Sequence, residues 1–288
     1  MRPIALARSL LTHSNTECRL LSIFLLPLLG LWLNAAENTP THPPLPRAHS
    51  HNDYLQKTPL LDALKYGFCS VEADIFLVDG SLLVGHERSQ LRPDKTLQSL
   101  YLDPLRSRVQ SNHGSVHPSY PRFHLLIDLK TDAEPTYAQL KTVLKDYQSI
   151  LTRYDKDRTT LGAVSITISG NRPKAMLLSE ETRWVGYDGR LSDLNSNLSH
   201  HMMPMVSDSW TTAFKWKGIG AFPEIEKKRL RDLVASAHSK SYKLRLWGAP
   251  DLPNAWREYL DAGLDVVNTD HLPELAQFLQ THPQGLTP

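Results

Sequence analysis

The stretch Ala48-His49-Ser50-His51-Asn52-Asp53-Tyr54 sets two histidines, an amide, an acid and a phenol side by side. Such a set can hold zinc through the histidine pair, perform acid/base chemistry beside an ion held elsewhere, or form an ordinary polar loop. The other ionisable residues decide between these. Cys-Ser-Val-Glu-Ala-Asp-Ile-Phe places Glu72 and Asp74 two apart, on one face of a strand. Phe-His-Leu-Leu-Ile-Asp-Leu-Lys aligns His124, Leu126, Asp128 and Lys130 in the same way. Buried carboxylates need compensation, because unpaired buried charge is costly and like charges repel. A divalent cation would supply it, and so would ion pairs with Lys130 or Arg245; both readings stay open. Oxygen donors alone favour Mg²⁺ or Ca²⁺ over zinc. His86 closes Leu-Leu-Val-Gly-His-Glu and pairs with His51 as imidazoles suited to acid/base work near neutral pH. Lys130 either neutralises a phosphate oxygen or balances the acids.

These residues need a scaffold that brings strand ends together. Short β-rich runs near 46–51, 69–76, 122–129, 162–168, 183–187, 202–206, 242–247 and 264–268 alternate with helical patterns at 59–67, 133–154, 224–241 and 272–280. This order predicts an α/β fold, a single (β/α)8 TIM barrel, whose usual size matches the segment 46–288. Catalytic groups in such barrels sit at the C-terminal strand ends, where Asp74, Asp128 and Lys130 fall. Leu-Val-Asp-Gly-Ser-Leu-Leu-Val-Gly-His-Glu, 77–87, reads as a small β-hairpin insertion after strand 2, with Asp79-Gly80 as its turn.

Lys and Arg number 32 against 30 Asp and Glu, without a dense basic run carrying aromatics, so nucleic acid is not an expected partner. Arg2, Arg8 and Arg19, the apolar run 20–33 and the small Ala35 and Ala36 have the layout of a signal peptide over 1–36. Export to the periplasm or exterior follows, with a membrane anchor or a mitochondrial presequence as alternatives. A Pro-rich linker spans 37–45. Cys18 leaves with such a leader, and Cys69 reads as a buried inert thiol.

His51-Asn-Asp-Tyr-Leu, Val71-Glu-Ala-Asp, Asp79-Gly-Ser-Leu-Leu-Val-Gly-His-Glu and Leu125-Leu-Ile-Asp-Leu-Lys-Thr together resemble the phosphodiesterase barrels that include glycerophosphodiester phosphodiesterases and phosphoinositide-specific phospholipases C. More closely, His49-Ser-His-Asn-Asp-Tyr, the run 59–80 and Thr96-Leu-Gln-Ser-Leu-Tyr-Leu-Asp-Pro-Leu resemble the altered inheritance of mitochondria protein 6 family, from about 46 to 275. The resemblance implies a metal-dependent phosphoric diester hydrolase acting on a glycerophosphodiester or phospholipid-type substrate, small or lipid. It implies His51 and His86 as the acid/base pair, Glu72, Asp74 and Asp128 as ligands to one divalent cation, and Asn52 as a further ligand. Lys130 and Trp247 become candidate substrate contacts, Trp247 either stacking a headgroup or filling the barrel mouth. Contact with a membrane surface is compatible with such a substrate. The His-Arg-Gly and Glu-Asn-Thr elements of glycerophosphodiesterases are absent, which leaves headgroup specificity open.

Two other readings compete. A zinc hydrolase of the amidohydrolase kind would use His49, His51 and Asp270, but needs histidines on strands five and six, which have none. A barrel that binds a phosphorylated headgroup without turnover is the third, since fold alone does not imply activity.

Overall fold

The computed structural model describes residues 42–282; the expected leader and most of the expected linker lie outside the described residues. Eight parallel strands build the barrel: β1 (Leu45–Ser50), β2 (Phe68–Val78), β3 (Phe123–Leu129), β4 (Val164–Gly170), β5 (Gly186–Gly189), β6 (Met205–Ser209), β7 (Lys243–Trp247) and β8 (Val267–Thr269). They pair in chain order, and β8 returns to lie against β1. A parallel bridge from Arg245 to Val266 nearly closes the ring between β7 and β8. Helices α1 (Leu61–Lys65), α2 (Asp103–Ser111), α3 (Ala133–Leu144), α4 (Lys174–Ser179), α5 (Trp210–Ala213), α6 (Glu224–His238), α7 (Pro253–Asp261) and α8 (Leu272–Thr281) make most of the crossovers and finish the chain. Among the described residues no helix is long and apolar enough to cross a membrane.

Period-two alternation along the strands divides the chemistry between two faces. Val71, Ala73 and Ile75 of β2, with Leu125, Ile127 and Leu129 of β3, join the main apolar core under the helices. Each such Leu or Ile contributes about 1.5–3 kcal/mol by leaving water. The alternate positions Ser70, Glu72, Asp74, His124 and Asp128 face the lumen, where Leu126, Met205 and Val266 form a separate small apolar cluster. A polar chain crosses four strands there. His49 Nδ1 lies 2.6 Å from Ser70 Oγ, Ser70 Oγ lies 2.9 Å from His124 Nδ1, and His124 Nε2 lies 3.0 Å from Thr167 Oγ1.

Strand β2 runs beyond the barrel and turns back as the expected hairpin, pairing antiparallel with Ser81–Val84. Asp79 and Gly80 both adopt positive φ, 46° and 78°, as a two-residue hairpin turn of this hand requires. The helix expected over 133–154 is shorter. It ends at Leu144, and Arg153–Asp155 pairs with Thr159–Thr160 and Thr182–Arg183 in a separate three-stranded sheet. Cys69 is buried as expected, and burial pushes its thiol up to about 12.

One buried ion pair spans the lumen: Arg245 Nη2 of β7 donates to Glu72 Oε2 of β2 at 2.7 Å, with both side chains under a tenth exposed. Removing one partner leaves the other charge buried, a change that costs about 3–5 kcal/mol. Arg245→Met should therefore lower the urea midpoint of the metal-free protein by an amount equivalent to that loss. Replacing Glu72 and Arg245 together with apolar residues should recover most of it. An unaltered midpoint in Arg245→Met would remove the pair from the account of stability.

Candidate active site

The His51-Asn-Asp-Tyr run separates into four tasks. The His51 amide donates to the Thr269 carbonyl at 3.1 Å, which sets its ring beside Asp270 at the end of β8. Asn52 adopts a left-handed conformation, φ 47° and ψ 42°, a region that asparagine tolerates better than most residues. Asp53 is a staple: it accepts Ser50 Oγ at 2.7 Å, the Leu60 amide at 2.5 Å and the Tyr101 hydroxyl at 3.1 Å. Burial pushes its carboxyl up to about 6. Tyr54 is buried and sends its hydroxyl back to the mouth, 2.6 Å from Asn52 Oδ1 and 2.7 Å from Asp74 Oδ2.

Glu72, Asp74 and Asp128 converge, and each offers an oxygen within 4.8 Å of the others; this is the one such ligand group of three among the described residues. Register brings them together, because Asp74 stands opposite Asp128 in the β2–β3 pairing. The Lys130 amide donates to the Ile75 carbonyl at 2.9 Å and carries its side chain over the acids. Lys130 Nζ then lies 2.9 Å from Asp74 Oδ2 and 3.2 Å from Asp128 Oδ1. Both readings of the acids are thus realised in part, since Lys130 and Arg245 pair with them and the oxygens still cluster.

The electrostatics are uneven. Burial disfavours charge on Glu72, but the Arg245 guanidinium outweighs it and holds this carboxyl well below the usual range. Burial and the charge of Glu72 push Asp74 up to about 6 despite Lys130. Asp128 is raised as well, chiefly by burial. Asp74 Oδ2 is crowded with donors while its Oδ1 is buried without a hydrogen-bond partner. A partnerless buried carboxylate oxygen in an all-oxygen cluster, its carboxyl hard to ionise, fits a hard divalent cation.

The two candidate histidines flank this cluster. His51 Nδ1 lies 2.9 Å from Asp270 Oδ1, and its Nε2 lies 3.8 Å from Glu72 Oε2. Burial works against the imidazolium, but the Asp270 hydrogen bond and the Glu72 charge outweigh it, so its pKa is raised. His86 comes back to the site through the hairpin, where the Gly85 amide donates to the Asp74 carbonyl at 3.2 Å. Its ring is half exposed, with Nδ1 3.1 Å from the Tyr54 hydroxyl and 3.5 Å from Asp74 Oδ2.

Every residue expected at the site except Trp247 is tied into this network; Trp247 ends β7 with 40% of its surface exposed, so it does not fill the mouth as core. Asn52 Nδ2 lies 3.3 Å from His51 Nδ1. His49, the other half of the His-x-His, is fully buried and engaged with Ser70, and it forms no zinc-type group with His51 and Asp270. Sequence reasoning placed Asp270 only in the zinc alternative and gave Tyr54 no task. It also passed over a second cluster at the β4–β6 ends. There the buried Asp188 accepts Ser169 Oγ at 2.8 Å, Ser207 Oγ at 2.6 Å and Arg190 Nη1 at 2.9 Å. An acid and a basic residue two apart at a strand end, Asp188 and Arg190, was the available signal.

A family model described as the AIM6-like phosphodiesterase domain matches residues 42–188. The altered inheritance of mitochondria protein 6 of Eremothecium gossypii is 32% identical over 272 residues, covering 82% of this chain and 70% of its own. The chain belongs to the altered inheritance of mitochondria protein 6 family. A homolog from Arthroderma benhamiae is 30% identical over 257 residues, covering 79% of this chain and 81% of its own. A model of the glycerophosphoryl diester phosphodiesterase family matches residues 243–273, the segment of β7 and β8 that carries Arg245, Trp247 and Asp270. Among solved structures, a glycerophosphodiester phosphodiesterase from Parabacteroides distasonis aligns with a TM-score of 0.47 at 18% identity, covering 83% of this chain and 98% of that one.

Two tests follow from the geometry. Gly170 ends β4 with φ +67°, and a Cβ there would stand 2.3 Å from Asp128 Oδ1. Gly170→Ala should displace Asp128 and weaken divalent-cation binding by about 10–100-fold in calorimetric titration, as disturbing the support of a ligand does. Binding unchanged from the parent would exclude Asp128 as a ligand. The second concerns acid stability. Burial, then Arg245, lowers His49 to about 4, so the unfolded chain takes up a proton near 6.5 that the folded protein refuses. Its contribution is complete above 6.5 and is lost as pH falls toward 4, at up to about 1.4 kcal/mol per pH unit. His49→Asn keeps an amide near the position of Nδ1 and should flatten the stability profile over that window. An identical slope would mean that His49 is charged in the fold.

Proposed function

We propose that this protein is a metal-dependent phosphoric diester hydrolase acting on a glycerophosphodiester or phospholipid-type substrate through His51 and His86. The observation that carries the reading is the cluster of Glu72, Asp74 and Asp128 flanked by these two imidazoles. The three carboxylates, with Asn52 as a further donor, would hold one Mg²⁺ or Ca²⁺. When bound, such an ion supplies Lewis-acid stabilisation of the charge that grows on a phosphoryl oxygen.

The chain's own groups do the rest. Lys130 adds a point charge beside the same oxygens, within reach of a phosphate held at the cluster. His51, its charged form favoured by Asp270 and Glu72, is the group placed to donate a proton to the leaving alkoxide. His86 takes the proton of the attacking hydroxyl, either water or a neighbouring hydroxyl of the substrate; in the second case a cyclic phosphate forms and water opens it. The exposed ring of Trp247 offers a stacking face to the headgroup. An export signal over 1–36 and action on a lipid-borne substrate belong to the same proposal.

Leaderless protein should release product from a phosphodiester reporter only with a divalent cation present, and a chelator should stop it until Mg²⁺ or Ca²⁺ is restored. Glu72→Ala, Asp74→Ala and His86→Ala should each lower kcat by at least about 100-fold, the scale of a lost acid/base or metal group. Turnover that survives all three substitutions sinks the proposal. Stoichiometric zinc in the purified protein would count for the amidohydrolase reading instead.

A further inference from the structure

Tyr54 is placed unlike any other residue at the mouth. A single phenol oxygen meets three groups from three separate segments: Asn52 Oδ1 at 2.6 Å, Asp74 Oδ2 at 2.7 Å and His86 Nδ1 at 3.1 Å. Only 7% of the residue is exposed, although its hydroxyl reaches the mouth. Its partners join the loop after β1, the acid cluster on β2 and the residue that follows the hairpin.

Counting protons fixes the arrangement. A phenol carries one hydrogen and two lone pairs. Asn52 Oδ1 and Asp74 Oδ2 are both acceptors, so the hydrogen is committed to one of them. All that the oxygen then offers His86 is a lone pair. The second neighbour of His86 Nδ1, Asp74 Oδ2 at 3.5 Å, is an acceptor as well. Nδ1 must therefore carry the proton of the neutral imidazole, which leaves Nε2 bare.

We infer that Tyr54 is a positioning residue: its hydroxyl holds His86 in the Nδ1–H tautomer and turns the bare Nε2 toward substrate, while tying the same ring to Asp74. The inference rests on the phosphodiesterase reading for its consequence in turnover, and on geometry alone for the tautomer. His51 obtains the same tautomer from Asp270, a carboxylate.

Tyr54→Phe keeps the ring and deletes the oxygen. The first measurement is the long-range ¹⁵N–¹H correlation spectrum of uniformly labelled full-length protein at neutral pH, with His86 assigned by its absence in His86→Gln. In the parent, His86 should show the Nδ1–H pattern. In Tyr54→Phe it should move toward the mixture of tautomers seen for free imidazole. The second measurement is turnover of a soluble phosphodiester reporter with saturating Mg²⁺. There kcat should fall on the order of 100-fold, the typical worth of a well-placed general base, with KM changed less than about twofold because a misplaced base removes no ground-state contact. An Nε2–H tautomer in the parent overturns the inference. So does a Tyr54→Phe protein that keeps the parent tautomer or the parent kcat. If the parent shows the Nδ1–H pattern but turns over no phosphodiester, the positioning stands and the proposed activity fails.

Discussion

The ion pair between Glu72 and Arg245 is the constraint on which the rest depends, because it joins β2 to β7 across the lumen. Arg245 also takes part in the bridge that nearly closes the ring, and its Nε donates to Asn268 Oδ1 at 2.7 Å. Asn268 answers by donating to the Leu246 carbonyl at 2.7 Å. Main-chain pairing at this seam is sparse, so side chains do what the ladder does elsewhere in the barrel. The carboxylate that anchors the seam is also an edge of the acid cluster.

Charge at the mouth is arranged so that one acid is settled and the others are held ready. Glu72 is kept ionised by a guanidinium on the far wall. Asp74 and Asp128 share one ammonium, that of Lys130. Three carboxylates against two cations leave an excess of negative charge in a partly dry pocket, which burial makes costly. The raised carboxyls of Asp74 and Asp128 are the expression of that cost. A bound divalent ion would remove it, so affinity for the ion and discomfort without it have the same origin.

All eight strands were legible, because period-two alternation at Val71-Glu72-Ala73-Asp74 or Leu125 to Asp128 is a local pattern with a physical cause. Strand limits were less so. The expected run 162–168 begins two residues early, for the strand starts at Val164, which also bridges to Leu151. Helices α2, α4, α5 and α7 went unassigned. Of these, α7 begins at Pro253, a start signal that was readable. At the site, side chains that repeat along one strand were readable and those that meet across the barrel were not. Glu72 and Arg245 lie 173 positions apart, and no pattern in sequence connects them. The same holds for His51 with Asp270. Tyr54 was hidden in another way, because a tyrosine beside a motif looks like core until its oxygen is seen to face inward.

The hairpin after β2 is an excursion with no net displacement. Twelve positions of chain separate Asp74 from His86, yet the return arm sets His86 Nδ1 within 3.5 Å of Asp74 Oδ2. What fixes that closeness is the pairing at the base, Ile75 with Val84 and Gly85 with the Asp74 carbonyl. The length of the excursion is a free variable so long as both arms change together. Evolution can lengthen, shorten or redecorate the tip in matched steps, reshaping whatever approaches the mouth, and His86 stays beside Asp74. An unmatched residue in one arm slips the register, and His86 parts from Asp74 without either residue having changed.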